Sequence, residues 1–236
     1  MTTSKKFTFV STVATLLSLA VLARPSVAQS YNVATQFSTA SNPNGAWSYG
    51  YSYGVGGTFI QDTTNTTAYA GLALGGWMGN LNPVFGANEP YVLKNSTANP
   101  VTNNTTTVYQ PGQLALQPGE TNGESVIRWT APFSGSFSIN ATFTGLDFFI
   151  GDSADVHILH NGSSIFNSTV GSPASYSGPQ SILVGDTIDF VVGNGGNGAN
   201  NDTTALSATI VPEPTPVGLV AMGLACLLSL GLRKRK

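Results

Sequence analysis

The chain is short of charge, and most of it has almost no positive charge. Of nine Lys and Arg, three precede residue 29 and four follow residue 211, so only Lys94 and Arg128 lie between. The same stretch holds ten of the eleven Asp and Glu, which gives it a formal charge of −8. Binding of nucleic acid requires cations that neutralise phosphates. We therefore expect no nucleic-acid partner for residues 29–211.

Cysteine and histidine are equally scarce. The one cysteine, Cys226, lies in an apolar run near the C-terminus. Residues 29–211 therefore have no disulfide, no cysteine metal site and no thiol nucleophile. The two histidines, His157 and His160, are three residues apart, and on a strand they would face opposite sides of the sheet. This spacing disfavours a shared metal ion.

Motifs of catalysis are missing as well. The sequence contains no nucleophile elbow, no HExxH and no P-loop. A glycosidase that uses two carboxylates stays open, because such pairs meet only in the fold. Isolated acidic residues are normally solvated surface, so we expect a protein that is not an enzyme. The carboxylates that could form such a pair are Glu89, Glu120, Glu124 and Asp147.

The N-terminus has the pattern of a secretory signal peptide over residues 1–28. Lys5 and Lys6 precede an apolar run over 7–22, and Ser26-Val27-Ala28 places small residues at the −3 and −1 positions before Gln29. The alternative is an N-terminal membrane anchor. Cleavage is favoured because Arg24 and Pro25 end the run just before the small residues.

The C-terminus has three parts in order. Pro212-Glu213-Pro214 is followed by an apolar run over 217–232 and by four cations at 233–236. The run is slightly short of the roughly 20 residues that cross a bilayer, but flanking Arg and Lys can snorkel. The terminal cations should stay cytoplasmic, which leaves the preceding domain outside. A plain single-pass tail anchor would have the same topology.

This order of parts resembles the PEP-CTERM sorting signal, with Pro212, Glu213 and Pro214 as the sorting motif. The resemblance covers residues 212–236 alone. It implies a membrane helix before processing, cleavage by an exosortase-type enzyme, and a Gram-negative-type bacterium that makes exopolysaccharide. The implied location is the cell surface or the extracellular matrix, with transient membrane anchoring.

Strand patterns are clearest in the second half of the chain. Residues 136–144 alternate between apolar and polar side chains, which is typical of a half-buried strand in an antiparallel sheet. Asn161-Gly162 between the apolar stretches 155–159 and 164–170 predicts a hairpin, because both residues tolerate positive φ. Further strands are predicted at 125–130, 180–184, 187–192 and 206–211.

The first half is less regular. We predict strands at 46–53, 58–61, 68–74, 91–94, 108–109 and 113–117. Gly56-Gly57, Gly75-Gly76 and Pro118-Gly119 are interpreted as breaks between them. Many short strands separated by Gly and Pro predict an all-β fold, an antiparallel β-sandwich or jelly roll over residues 29–211.

The body of the chain also resembles a domain of secreted, surface-sorted bacterial proteins. The matching stretches are 37–49 (FSTASNPNGAWSY), 116–119 (LQPG), 126–132 (VIRWTAP) and 185–190 (GDTIDF). Such domains are similar to carbohydrate-binding jelly rolls. The resemblance therefore implies an extracellular jelly-roll domain with extracellular polysaccharide as a partner.

Aromatic side chains are the candidate ligand-binding residues. Trp47, Tyr49 and Tyr51 recur at period two together with Tyr53, so the four would share one face of a strand. Such a face can stack on sugars or fill the core of a sandwich. Trp77 lies in a Gly-rich stretch, which predicts an exposed loop. Trp129 is expected in the core.

Asp and Asn residues around the last strands are the candidate metal ligands. Calcium takes six to eight oxygens, and loops rich in Asp, Asn and Gly can supply them. The ligands we expect for Ca2+ are Asp186, Asn197 and Asp202. The same residue types also populate ordinary turns.

Together these features favour a secreted, exosortase-processed protein that associates with extracellular polysaccharide and is not catalytic. One alternative is a structural or adhesion protein of the cell surface that contacts other proteins. The other alternative is a polysaccharide hydrolase.

Both processing events can be tested by mass spectrometry of the protein recovered from its host. We expect an N-terminus at Gln29 and the loss of the tail that follows Pro212-Glu213-Pro214. Recovery of the intact 24.4 kDa chain would contradict both predictions.

Overall fold

A computed structural model describes residues 29–79, 89–104, 106–147 and 154–214. Ser30–Val211 forms one compact unit. The signal peptide expected at 1–28 and the apolar run and basic end over 217–236 lie outside the described residues, so they stay predictions. Within the described ranges, no helix has the length and apolar character needed to span a bilayer.

The described chain forms two antiparallel sheets and a small hairpin, numbered here in chain order. The strands of sheet A are β1 (Tyr31–Asn32), β4 (Thr64–Thr66), β5 (Leu74–Met78), β6 (Tyr91–Asn95), β9 (Leu114–Gln117), β11 (Gly135–Gly145), β14 (Ala174–Ile182) and β16 (Thr204–Pro212). β1 pairs with β16, and the other strands follow the order β14-β11-β16-β9-β6-β5-β4.

The strands of sheet B are β2 (Trp47–Tyr53), β3 (Ile60–Gln61), β10 (Gly123–Thr130), β12 (Asp155–His160), β13 (Ser163–Thr169) and β15 (Thr187–Gly193). Their order in the sheet is β13-β12-β15-β10-β2-β3. The separate hairpin pairs β7 (Val101–Asn103) with β8 (Thr107–Tyr109). The all-β antiparallel sandwich expected from the sequence is confirmed.

The alternation of β11 shows why these residues form a sheet with one buried face. Phe137, Ile139 and Phe143 are fully buried, whereas Ser136 and Asn140 are exposed. Period-two alternation places the first set against the second sheet and the other set in water.

Aromatic rings from both sheets meet in the core between them. Trp129 of sheet B packs edge-on against Phe137 of sheet A, with ring centroids 5.2 Å apart, and against Tyr31 at 5.3 Å. Trp47 and Phe190 join the same cluster. The core position expected for Trp129 is confirmed. Edge-to-face pairs of this kind contribute roughly 0.5–1.5 kcal/mol beyond the area they bury.

The hairpin predicted around Asn161-Gly162 is also confirmed. It joins β12 to β13, and both turn residues have positive φ, 50° and 78°.

The strand predicted over 68–74 is wrong. Tyr69–Gly71 is a 3₁₀ turn, and the strand begins at Leu74. Gly75 and Gly76 therefore lie inside β5 and are not a break. A Cβ on Gly76 would collide with the Val92 carbonyl and the Leu93 side chain, so this position accepts only glycine. Here glycine permits the close approach of two strands.

Both cations of the compact unit are held within the fold. Arg128 donates from Nε and Nη2 to the two carboxylate oxygens of Asp189, at 2.7 and 2.8 Å, and its guanidinium lies 4.4 Å from the centre of the Phe59 ring. Lys94 donates from Nζ to the Ala34 carbonyl, and burial lowers the pKa of Lys94.

Asp62 is a buried carboxyl group at the end of β3. Its side chain is 3% exposed, and neither carboxylate oxygen has a hydrogen-bond partner. Burial raises the pKa of Asp62 from 3.8 to about 7. The folded state therefore holds this proton more tightly than the unfolded state does.

This difference predicts a pH dependence of stability. The contribution of Asp62 is complete below pH 3.8 and is lost as the pH rises to about 7. Asp62→Asn removes this titration. Between pH 3.8 and about pH 7 the free energy of unfolding of the variant should therefore fall less than that of the unchanged protein, by up to a few kcal/mol. Urea unfolding of both proteins at several pH values measures this difference. If the free energy of unfolding depended on pH in the same way in both proteins, the burial of this carboxyl group would be contradicted.

Candidate functional site

A cavity of about 290 Å³ opens on the face of sheet A that is turned away from the core. Its walls come from the 3₁₀ turn, the β7–β8 hairpin, the end of β11 and the loop between β15 and β16. The lining residues are Tyr69, Ala70, Glu89, Tyr91, Asn103, Asn104, Thr106, Thr107, Gln117, Asp147, Ala199, Asn200, Asn201 and Thr203.

Two tyrosines form the aromatic part of the cavity. The Tyr69 ring packs on the Tyr91 ring, with centroids 4.9 Å apart and planes inclined by 51°. Tyr91 is buried and Tyr69 is half-buried, so Tyr69 offers the accessible aromatic surface. Burial raises the pKa of both phenols, and the charge of Glu89 adds to the rise at Tyr69. Both hydroxyls therefore stay protonated at neutral pH.

Gln117 ties the cavity to the loop after β15. Its amide nitrogen donates to the Ala199 carbonyl, and its amide oxygen accepts from the Thr203 hydroxyl. Gln117 and Thr203 are both 4% exposed. These buried hydrogen bonds hold the loop against β9, so the wall that it forms is fixed by the sheet.

Acidic groups form another wall. One carboxylate oxygen of Asp147 accepts from the hydroxyls of Thr106, at 3.2 Å, and Thr107. Glu89 supplies a second carboxylate. Among the described residues that line the cavity, the charged side chains are those of Glu89 and Asp147, and both are acidic.

This combination suits a ligand with many hydroxyl groups. Side-chain amides and hydroxyls both donate and accept hydrogen bonds, and carboxylates accept them. An aromatic ring adds an apolar surface. Binding sites of small molecules commonly join such surfaces with a few polar groups that fix orientation.

The aromatic residues named from the sequence do not line this cavity. Trp47 and Tyr49 are 1% and 0% exposed, which confirms the alternative that they fill the core. Tyr51 is half-buried, and its ring contacts that of Tyr53 at 5.8 Å.

The exposed loop expected at Trp77 is wrong. Trp77 lies in β5, is 6% exposed, and donates from Nε1 to the Ser38 carbonyl at 2.7 Å. Because Gly76 allows β5 to continue alongside β6, the indole is carried into the core. A ring buried in this way offers no face to a sugar.

The structure does not bring together Asp186, Asn197 and Asp202, the three ligands expected for Ca2+. The seven-residue strand β15 separates Asp186 from the other two, a span of roughly 20 Å. The Asp186 carboxylate accepts from the Leu183 backbone and from the side chains of His160 and Asn161. These hydrogen bonds, the one from Leu183 first, lower the pKa of Asp186 to about 2. Asp186 is therefore a turn residue.

The residues of the sorting motif stand at the end of the described chain. Pro212 ends β16, and Glu213 and Pro214 follow in exposed, irregular backbone. Their sorting role stays a prediction.

Sequence patterns contain only weak signals for the residues that do line the cavity. Glu89 and Asp147 stood out only as loose carboxylates. Tyr69 fell inside the strand wrongly predicted over 68–74. The Asn residues at 103 and 104 and at 200 and 201 are typical of turns, but nothing in their spacing shows that two distant turns meet.

Comparisons with known proteins identify no family. No family model matches the chain, and no curated protein matches it significantly. Among solved structures, a CBM51 from Clostridium perfringens GH95 in complex with methyl-galactose is 11% identical, with a TM-score of 0.35 over 64% of this chain and 94% of that one.

Two other solved structures show the spread of these matches. A CBM36-1 domain of a xylanase from the hindgut metagenome of Trinervitermes trinervoides is 19% identical, with a TM-score of 0.31 over 48% of this chain and 84% of that one. Pika GITRL is 18% identical, with a TM-score of 0.29 over 39% of this chain and 74% of that one. Because these TM-scores are low, the matches assign neither a ligand nor a family.

The hydrogen bond between Thr107 and Asp147 can be tested by a nearly isosteric change. Thr107→Val removes a buried donor to a carboxylate and should lower the free energy of unfolding by about 1–3 kcal/mol. The matched control is Thr142→Val, whose hydroxyl meets that of Ser175 on the exposed face of sheet A. The control should change stability by less than about 0.5 kcal/mol. Equal effects in urea unfolding would show that Thr107 does not anchor the acidic wall.

Proposed function

We propose that this protein binds a neutral glycan in the cavity between Tyr69 and Asp147 and does no chemistry on it. The observation that carries the proposal is the half-buried Tyr69 ring, supported by Tyr91, at a cavity lined mostly by amides, hydroxyls and carboxylates. A sugar presents hydroxyl groups at its rim and C–H groups on its faces. The cavity has a matching surface for each.

Charge narrows the class of glycan. Glu89 and Asp147 line the cavity, and the segment over 29–211 carries a formal charge of −8. Arg128 and Lys94 are both engaged inside the fold. A uronic or sulfated polysaccharide would bring like charge to the cavity. Neutral sugars, whose hydroxyls donate to carboxylates, are therefore favoured.

We further propose that this binding takes place outside the cell, as the export and sorting signals expected at the two termini would require. A signal peptide at 1–28 and a PEP-CTERM-like tail at 212–236 would export the chain and deliver it to an exosortase-type enzyme. The mature protein would then meet extracellular polysaccharide at the cell surface or in the matrix. Its role there would be to bind or organise that polysaccharide.

A second candidate function is hydrolysis of the polysaccharide. It is favoured by one observation, namely that two of the four carboxylates considered from the sequence, Glu89 and Asp147, line the same cavity. Glycosidases act through two carboxyl groups on either side of the scissile bond. Release of reducing ends from a bound oligosaccharide, abolished by Asp147→Asn, would establish this function and overturn the non-catalytic one.

Glycan binding can be tested on the full-length protein with an array of neutral and acidic oligosaccharides. We expect binding to neutral members, followed by titration calorimetry of the best one. Tyr69→Ala should weaken that binding about tenfold or more, since a loss of about 1.4 kcal/mol corresponds to a factor of ten. Tyr69→Phe keeps the ring and should retain most of the affinity.

The matched control is Tyr53→Ala, which removes a tyrosine that is 60% exposed and does not line the cavity. The affinity of Tyr53→Ala for the same oligosaccharide should equal that of the unchanged protein. An equal loss in both variants, or no loss at Tyr69→Ala, would show that the sugar binds elsewhere. A binding preference for acidic oligosaccharides would contradict the charge argument.

A further inference from the structure

A pair of carboxylates lies on the outer face of sheet B, away from the cavity. Glu124 is on β10 and Asp155 is on β12, with Gly193 of β15 between them. Gly193 pairs directly with Asp155, and Val192 before it pairs with Ser125, the neighbour of Glu124. The three residues therefore form one row across three adjacent strands.

Both carboxylates lie close to Gly193. A Cβ added to Gly193 would lie under 3.0 Å from both Glu124 Oε2 and Asp155 Oδ1. Since each oxygen is that close to one point, the two are less than about 6 Å apart. The missing side chain of Gly193 leaves the space in which they converge.

The two carboxylates differ in their hydrogen-bond partners. Asp155 accepts from the Gly195 backbone N–H at 2.8 Å, and its other oxygen lies 2.8 Å from His157 Nε2. Glu124 is only 7% exposed, and its Oε2 is buried with no hydrogen-bond partner. Leaving a carboxylate oxygen without water or a donor is costly, and a second carboxylate beside it adds repulsion. A group that attracts both oxygens would remove both costs.

We propose that Glu124 Oε2 and Asp155 Oδ1 bind a divalent cation, Ca2+, above Gly193. Calcium prefers carboxylate oxygens and tolerates irregular geometry. Among the described residues no group of three or more His, Cys, Asp or Glu side chains is arranged to hold a metal. In the proposed site, backbone carbonyls and water complete the shell of ligands. Such a site matches the weak calcium sites of extracellular modules, with a Kd of roughly 10⁻⁴–10⁻³ M.

The position of this site gives the ion a structural role. Its oxygens join β10 and β12 at the end of β15, where the loop over 194–203 begins. The loop is fixed there by Gly195, which donates to Asp155, and by Asn194, whose side chain donates to the carbonyls of Gly119 and Glu120. The ion would reinforce this end of the loop.

The experiment is thermal unfolding of the full-length protein, freed of metal with a chelator, in millimolar CaCl2, MgCl2 or NaCl of equal ionic strength. We expect CaCl2 to raise Tm by a few degrees through ligand linkage, and titration calorimetry to give one Ca2+ per chain. MgCl2 should raise Tm less, because Mg2+ requires near-octahedral geometry.

Two variants locate the site. Glu124→Gln and Asp155→Asn keep the side-chain shape and should each abolish the calcium shift. Glu213→Gln, at an exposed position beyond the sandwich, should keep it. Circular dichroism in the absence of calcium establishes that each variant is folded, and calorimetry reads binding independently of Tm.

Two results would overturn the proposal. One is a calcium shift that survives in both carboxylate variants, which would place the ion elsewhere. The other is the absence of any effect of CaCl2 on Tm together with no Ca2+ binding in calorimetry.

Discussion

The packing of Trp129 and Phe137 between the two sheets is the interaction on which the rest of the molecule depends. It joins β10 to β11, and Tyr31, Trp47 and Phe190 complete the cluster around it. Because the two sheets are held together by these rings, their tryptophans are not available at the surface. Recognition of a ligand is left to side chains on the outer faces of the sheets.

The scarcity of positive charge also limits which ligands the protein can bind. Arg128 is paired with Asp189, and Lys94 donates to the Ala34 carbonyl, so both cations are already engaged within the chain. The acidic groups fall into distinct environments, namely the isolated burial of Asp62, the wall of the cavity at Asp147, and the pair over Gly193. A protein with this surface is suited to uncharged, hydroxyl-rich partners and poorly suited to polyanions.

Sequence patterns predicted what depends on neighbouring residues. The alternation in β11 and the Asn161-Gly162 turn have local causes, and both predictions are confirmed. The interpretation of Gly76 as a break is wrong because this glycine has a non-local cause. The strand β6, distant in sequence, occupies the space that a side chain at position 76 would need. The cavity was missed for the same reason: Tyr69, Asp147 and Thr203 are brought together by the pairing of the sheets. The same holds for Glu124 and Asp155, whose proximity follows from strand register across β15.

The proposed function depends above all on glycan binding in the Tyr69 cavity. A crystal structure of the protein soaked with the neutral oligosaccharide that it binds best tests this claim directly. We expect electron density for a sugar ring against Tyr69, with hydroxyls within hydrogen-bond distance of Asp147. A sugar on the outer face of sheet B or along β2, with the cavity empty, would contradict it.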